Sequence, residues 1–448
     1  MMKYPKEYLD EIKLRIKVSQ IVGKTVKLKR RGKEFIGLSP FTTEKTPSFT
    51  VSDEKGFYHC FSSGEHGNIF DFLMKTQSIK FGESVRQLAS QAGMQPYKFT
   101  SFDVEKEKRY QTYTNILKNY SEYHHKILFE KNSVAINYLK KRGISEKAIS
   151  EFQIGFVTED SDYYNKLSKK FNENEILQSG LFYKNEKYKK FTNRFHSRII
   201  FPIKNITGDI IAFGGRIIGD KKLAKYINSP ETEFYKKGKH LFNLDKVKSF
   251  PKKNENIIIV EGYMDVISIY SSGIKNVVAN SGIALTENQI NLIWNYFSHP
   301  IVCLDGDTSG QKAALRIAES LLPYIKENKK IGFVSLSNGL DPDDYIREKG
   351  KENFEQLLET SLSIEEFIWK IYLQNLDRSD PFATTKFEKK FRNLCSTIKD
   401  ETLKKYILEH YLEKIRGLTP LQGFKSRKKY RNYKILNETK KIAISKEH

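Results

Sequence analysis

The sequence predicts a multidomain α/β chain (α+β overall), with a small antiparallel β unit first, then helices and short strands, then a parallel α/β sheet and a closing helical subdomain. Three observations lead there. Runs such as FTVSDEKGFYHCF alternate apolar and polar residues in the manner of antiparallel strands. Between residues 255 and 350 the apolar runs NIIIV, NVVAN, HPIVCLD and IGFVSL read as strands covered on both faces, spaced by helical segments. The chain has 448 residues, which at roughly 100–200 per domain allows two to four domains.

Residues 1–100 form the first unit. Lys24, Lys27, Lys29, Arg30, Arg31 and Lys33 make a basic patch ahead of a hairpin centred on Asp53 to Gly56, and GNIFDFLMKT and FGESVRQLASQAG read as two short amphipathic helices. Residues 94–104 lack a clear period, and a linker is placed at 101–112. The next unit, 113–254, is helical by period up to residue 152 and then strand-like, chiefly in SRIIFPI and GDIIAFGG. Residues 255–345 are the parallel sheet. Within it, QKAALRIAESLLPYIKEN is a helix whose last turns Pro323 should kink or tighten. Residues 346–422 are helical in pattern, and 423–448 form a basic tail with nine Lys or Arg against two Glu.

Composition narrows the function classes. The net charge of +23 points to a polyanionic partner, and 30 Phe and 25 Tyr include side chains able to stack on unpaired bases. No apolar run approaches the roughly 20 residues that span a bilayer. The first twenty residues lack the apolar core of a secretory signal. Cys60, Cys303 and Cys395 are too far apart in sequence to make a disulfide framework. An intracellular, cytoplasmic protein is expected.

Ligands of an open parallel sheet sit beyond the carboxyl ends of its strands. There this chain is acidic. NIIIV is followed by Glu261 and Asp265 in EGYMD, HPIVCL by Asp305 and Asp307 in DGDTSG, and IGFVSL leads to Asp341, Asp343 and Asp344 in DPDD. Singly, each Asp reads better as a turn former or helix cap. As a set they would repel one another unless cations intervene, and all-oxygen donors favour Mg2+ or Mn2+. Phosphoryl or nucleotidyl transfer is the chemistry such a site supports.

EGYMD, DGDTSG and DPDD resemble the TOPRIM fold of bacterial replicative DNA primases, topoisomerases and some nucleases. IAFGGRII, KYINSPETEFYKKGKHLF, NRFHSRIIFPI and YLKKRGIS resemble the RNA polymerase domain of the bacterial primases, and GLSPFTTEKTPSF with GFYHCFSSGEHGNIFDFL resembles their amino-terminal zinc ribbon. The resemblance implies a DNA primase, a nucleotidyltransferase that makes short RNA primers on single-stranded DNA from ribonucleoside triphosphates. It makes Glu261 the acid/base or metal-facing carboxylate, and has Asp305, Asp307, Asp341 and Asp343 bind metals with Asp265 nearby. Arg142, Arg194, Arg198, Arg216, Lys225, Asn228 and Lys237 fall on the family's nucleotide- and nucleic-acid-binding ridge. Gly214 and Gly215 read either as a close approach to phosphate or as a tight turn.

Two departures stand out. The four positions where the family places zinc ligands read Ser39, Thr42, Cys60 and Ser63, so zinc is not expected even with His59 and His66 near. Phe35, Phe41, Phe49, Phe57, Phe61, Phe70 and Phe72 are then expected to supply extra core or to stack on template bases. After Gln422 no segment is expected to be long enough for the helical domain by which bacterial primases engage the replicative helicase, so the chain reads either as a truncated version or as one whose helicase coupling is lost or moved elsewhere. Two other readings stay open: a non-catalytic nucleic-acid-binding relative, and a TOPRIM nuclease.

Overall fold

The structure is a computed structural model that describes residues 4–418 except 132, 160, 186–189, 220–222, 249–255, 281, 283 and 337–338. The basic tail expected at 423–448 lies outside the described residues. The chain divides into two compact units. The first holds the described residues up to Lys236 and those of the segment Asn243–Asn254. The second holds Lys237–Phe242 and the described residues from 256 onward. Among the described residues no helix is long and apolar enough to cross a membrane.

The first unit opens with α1 (Lys6–Arg15) and α2 (Val18–Val22), then a five-stranded antiparallel ribbon: β1 (Lys29–Arg31), β2 (Glu34–Gly37), β3 (Phe49–Ser52), β4 (Phe57–Cys60) and β5 (His66–Gly67), in sequence order. The expected hairpin joins β3 to β4, with Val51 opposite Tyr58 and Gly56 at φ 68° in the turn. α3 (Ile69–Gln77) and α4 (Phe81–Gln91) cover the sheet. α3 begins where Asn68 accepts from Phe70 N–H and Asp71 reaches back to Asn68 N–H. Phe49, Tyr58 and Phe72 are fully buried with ring centroids 5.2–6.1 Å apart, and Phe41 packs against them. Of the seven phenylalanines singled out, only Phe61 is exposed, at 69%.

The linker expected at 101–112 is instead the start of a 31-residue helix, α5 (Ser101–Lys131). Its start signal is local: Asp103 accepts from the amide and hydroxyl of Thr100, whose own hydroxyl accepts from Asp103 N–H. These first turns are mostly solvent-exposed, so no apolar period marks them; Tyr113, Ile116, Leu117 and Tyr120 are buried further on.

After α5 come α6 (Ser133–Lys141), α7 (Glu146–Glu151), β6 (Gly155–Val157), α8 (Tyr163–Leu167), α9 (Glu173–Gln178) and a two-stranded ribbon of β7 (Phe182–Asn185) and β8 (Lys190–Asn193). β9 (Arg198–Lys204), β10 (Ile210–Ile217) and β11 (Tyr226–Asn228) follow, and α10 (Leu244–Val247) closes the unit. The antiparallel sheet β11-β10-β9-β6 lies against α5. Gly214 and Gly215 sit inside β10, paired with β9 and β11, and make no turn. A Cβ on Gly215 would lie 2.6 Å from the Phe195 ring, so that glycine is required for packing.

The second unit begins with a 3-10 turn at Lys237–Lys239. Then come β12 (Asn256–Val260), α11 (Tyr263–Ser271), β13 (Val277–Ala279), α12 (Glu287–Trp294), β14 (His299–Leu304), α13 (Thr308–Leu321) and β15 (Gly332–Ser335). The sheet order is β13-β12-β14-β15, all parallel, with β16 (Leu362–Ser363) antiparallel at the edge. α13 tightens into a 3-10 turn at Leu322–Tyr324, where Pro323 lies. α14 (Pro342–Glu359) is broken at Gly350 (φ 82°), and α15 (Ile364–Gln374), α16 (Pro381–Ser396) and α17 (Glu401–Leu418) make the helical subdomain around Trp369, Phe391 and Tyr411.

Candidate active site

β12, β14 and β15 are adjacent and parallel, so the segments leaving their carboxyl ends emerge on one edge. Glu261 follows β12 directly and is exposed. Asp265, in the first turn of α11, is 9% exposed and accepts from Gly262 N–H at 3.0 Å. Asp305 ends β14. Asp307 caps α13 through Gly310 N–H at 2.6 Å, and Asp341 caps α14 through Asp344 N–H at 2.6 Å. Thus the capping and the cluster readings hold together: a cap occupies one carboxylate oxygen and leaves the other for the rim.

Electrostatics show which of these groups converge. Burial, then the charges of Asp341, Asp305 and Asp343, push the Asp265 carboxyl up to about 8, against the Gly262 amide that favours the anion. Asp341, Asp343 and Asp344 bring donor atoms within 4.8 Å of one another. A hard, all-oxygen set gathered around a buried carboxyl that burial first, and neighbouring carboxylates second, keep protonated near neutrality fits a divalent cation. Asp344 belongs to this group, although the family pattern draws attention only to Asp341 and Asp343. Arg347, one turn along α14, binds Asp344 and stands 3.8 Å from Asp343, which is 1% exposed.

The basic ridge is less uniform than its sequence implies. Arg142, Arg194, Arg198, Arg216, Lys225 and Asn228 belong to the first unit, whereas Lys237 belongs to the second. Arg198 is 4% exposed and donates to the carbonyls of Ala224 (2.8 Å) and Lys225 (3.4 Å). Its guanidinium therefore holds the backbone that presents Lys225, which is exposed. Arg216 lies over the rings of Tyr138 and Tyr226, 5.3 and 4.9 Å from their centroids, and also bonds the Tyr226 hydroxyl. Arg194 donates to Gly180 O at 3.0 Å. Arg142 directly follows α6, its N–H donating to Tyr138 O.

The four ribbon positions do converge. Cys60 Sγ donates to Ser39 Oγ at 3.1 Å and lies 3.3 Å from Ser62 Oγ, which in turn is 2.8 Å from Thr42 Oγ1. Burial raises the Cys60 thiol, but hydrogen bonds with Ser39, Ser62 and Ser63 outweigh it and bring the group down to about 7. Ser39 Oγ also accepts from the amides of Phe41 and Thr42. Glu44, which sequence reasoning passed over, accepts from the amides of Ser39 (2.7 Å) and Ser48 (3.0 Å) and from the Ser48 hydroxyl. The only sequence signal for it was a lone acid inside a Ser/Thr-rich loop.

Comparison with known proteins follows the same division. Residues 4–110 match the family model for the CHC2 zinc finger, 122–248 that for the N-terminal domain of the DNA primase catalytic core, and 258–346 a Toprim-like model. The DNA primase of Rickettsia felis is 36% identical over 420 residues, covering 92% of this chain and 69% of that protein. The chain spans 66% of the DNA primase of Pasteurella multocida. A solved Aquifex aeolicus primase structure with zinc-binding and RNA polymerase domains is similar at TM-score 0.60 and 29% identity, over 91% of this chain and 96% of that one. A primase catalytic domain solved with single-stranded DNA is similar at TM-score 0.63 and 31% identity, over 69% and 97%.

Proposed function

Because this chain belongs to the bacterial DNA primase family, we propose that it makes short RNA primers on single-stranded DNA by nucleotidyl transfer from ribonucleoside triphosphates. In that reaction the 3′-hydroxyl of one ribonucleotide attacks the α-phosphorus of the next, and pyrophosphate leaves. The observation that carries the reading is the set of carboxylates that follow three neighbouring parallel strands, where the charges of Asp341, Asp305 and Asp343 add to burial in raising Asp265.

Asp305, Asp307, Asp341 and Asp343, with Glu261 directly after β12, would hold Mg2+ or Mn2+. Bound there, such ions offset phosphoryl charge and make the attacking hydroxyl more acidic. The chain's own groups prepare that place. Helix caps fix one oxygen each of Asp307 and Asp341, and Gly262 N–H orients Asp265 behind the rim. In the second unit Lys237 would supply charge for the triphosphate; in the first, Lys225, Asn228 and Arg142 would supply charge and hydrogen bonds for nucleic acid, with Arg198 holding the backbone that presents Lys225 and Arg216 lying over the Tyr226 ring. Incubation with single-stranded DNA, ribonucleotides and Mg2+ or Mn2+ should yield short RNA that is lost in Asp305→Ala. Shortened DNA would point to a nuclease, and binding without product to a non-catalytic relative.

The ribbon is part of the same reading. Hydroxyls are poor zinc ligands beside a thiolate, so three hydroxyls and one thiol do not fit structural zinc. The Ser39–Cys60–Ser62–Thr42 cluster, the Glu44 bonds and the Phe49–Tyr58–Phe72 core then do the metal's work. One equivalent of zinc in the purified protein would overturn this.

A further inference from the structure

The segment Lys237–Phe242 belongs to the parallel-sheet unit although the residues just before and after it belong to the other. Its attachment is specific. Gln289, in the first turn of α12, is 0% exposed; its side-chain amide donates to the carbonyls of Lys237 (3.2 Å) and His240 (2.8 Å), and its oxygen accepts from Thr286 N–H at 3.0 Å. Thr286, the N-cap, donates its hydroxyl to Gly238 O at 2.6 Å and accepts from Gln289 N–H at 3.2 Å. The far end of the segment is bridged to β13 by Phe242 N–H to Ala279 O (2.9 Å) and Ala279 N–H to Phe242 O (3.2 Å).

A capping box needs only the oxygen of its glutamine. The remaining amide protons of Gln289 are buried, where an unmet donor costs on the order of 1–3 kcal/mol, so the strap carbonyls and the glutamine satisfy one another. The backbone of Lys237 is thereby tied to the same sheet that carries the carboxylates. Lysine is a point charge on a four-carbon stem, and fixing its backbone limits where that charge reaches.

We propose that Gln289 and Thr286 are positioning residues that set Lys237 for the incoming ribonucleoside triphosphate. This rests on the reading of Lys237 as a triphosphate contact. In the full chain, Gln289→Met and Thr286→Val remove the tethers at similar volume, and Thr286→Ser keeps the hydroxyl. The expected result is a KM for ribonucleotide raised about tenfold in Gln289→Met and several-fold in Thr286→Val, with kcat within about threefold. Direct ATP titration should weaken in parallel, and Thr286→Ser should match the parent. A purely structural role would lower the melting temperature with KM unmoved. If Lys237→Ala raises KM but folded Gln289→Met and Thr286→Val do not, the inference is wrong while Lys237 keeps its role. If Lys237→Ala itself leaves KM unchanged, the underlying reading fails and the inference with it. Should Gln289→Met not fold, Thr286→Val decides alone.

Discussion

The ribbon and the parallel sheet carry the two metal-associated regions of this family, and they differ in the charge they hold. At the ribbon, neutral hydroxyls surround one thiol and close a hydrogen-bonded ring beneath a stacked aromatic core. At the sheet edge, burial first and the neighbouring charges of Asp341, Asp305 and Asp343 second raise Asp265 to about 8. On the proposed reading, a metal whose task is to hold two loops together is replaceable by packing and hydrogen bonds. A metal whose task is to place positive charge beside a phosphoryl group is not, so its anionic ligands stay at a cost to the fold.

The largest test separates activity from stability at the sheet. Asp305→Ala should lower primer synthesis by about a hundredfold or more. In chelator the same variant should melt no lower than the parent, because one repelling charge is gone. A clear fall in melting temperature there would mean the cluster is not under repulsion.

Next, the aromatic core should bear the ribbon's stability. Phe49→Ala should cost about 3–5 kcal/mol in the ribbon's unfolding, read by denaturant titration of the full chain with probes in residues 1–100. A small loss would return the weight to some other support.

A gain-of-ligand variant sharpens the comparison from the other side. Ser39→Cys, Thr42→His and Ser63→Cys together should let the chain take up one equivalent of zinc, measured by elemental analysis, and then lose stability on chelation. The parent's ribbon transition, followed by probes in residues 1–100, should be indifferent to the same chelator. Failure of the triple variant to bind zinc would show that the loops no longer hold these positions in ligand geometry.

The smallest effect is expected at Glu44. Hydrogen bonds from Ser48 first, then from Ser62 and the amides of Ser39 and Ser48, outweigh desolvation and hold its carboxyl at about 2, below the ordinary 4.5. Its contribution is therefore complete above pH 4.5 and is lost as pH falls towards 2. Glu44→Gln should flatten that acid limb of ribbon stability while leaving neutral activity near the parent's. An unchanged acid limb would remove Glu44 from the account.

Much of this was legible in residue order. NIIIV, HPIVCL and IGFVSL are apolar throughout because both faces are covered, so they read as parallel strands, and the acids after them had to lie at strand ends. Hydroxyls at 39, 42 and 63 were equally plain. The start of α5 was hidden because its first turns face water, leaving Thr100 and Asp103 as the only mark. Gly215 read as a turn or a phosphate approach because nothing local announces the Phe195 ring across the strand.

Residue order by itself determined the parallel strands, the acids that follow them and the family, since each depends on periods and spacings within a few dozen residues. Only the tertiary structure decided that Arg198 faces inward to hold Lys225, that Glu44 stitches the ribbon loops, and that Lys237 is tied to α12 through Gln289. Those outcomes depend on which buried donors and acceptors meet across dozens of residues, and chain-distant pairing leaves no period in the sequence.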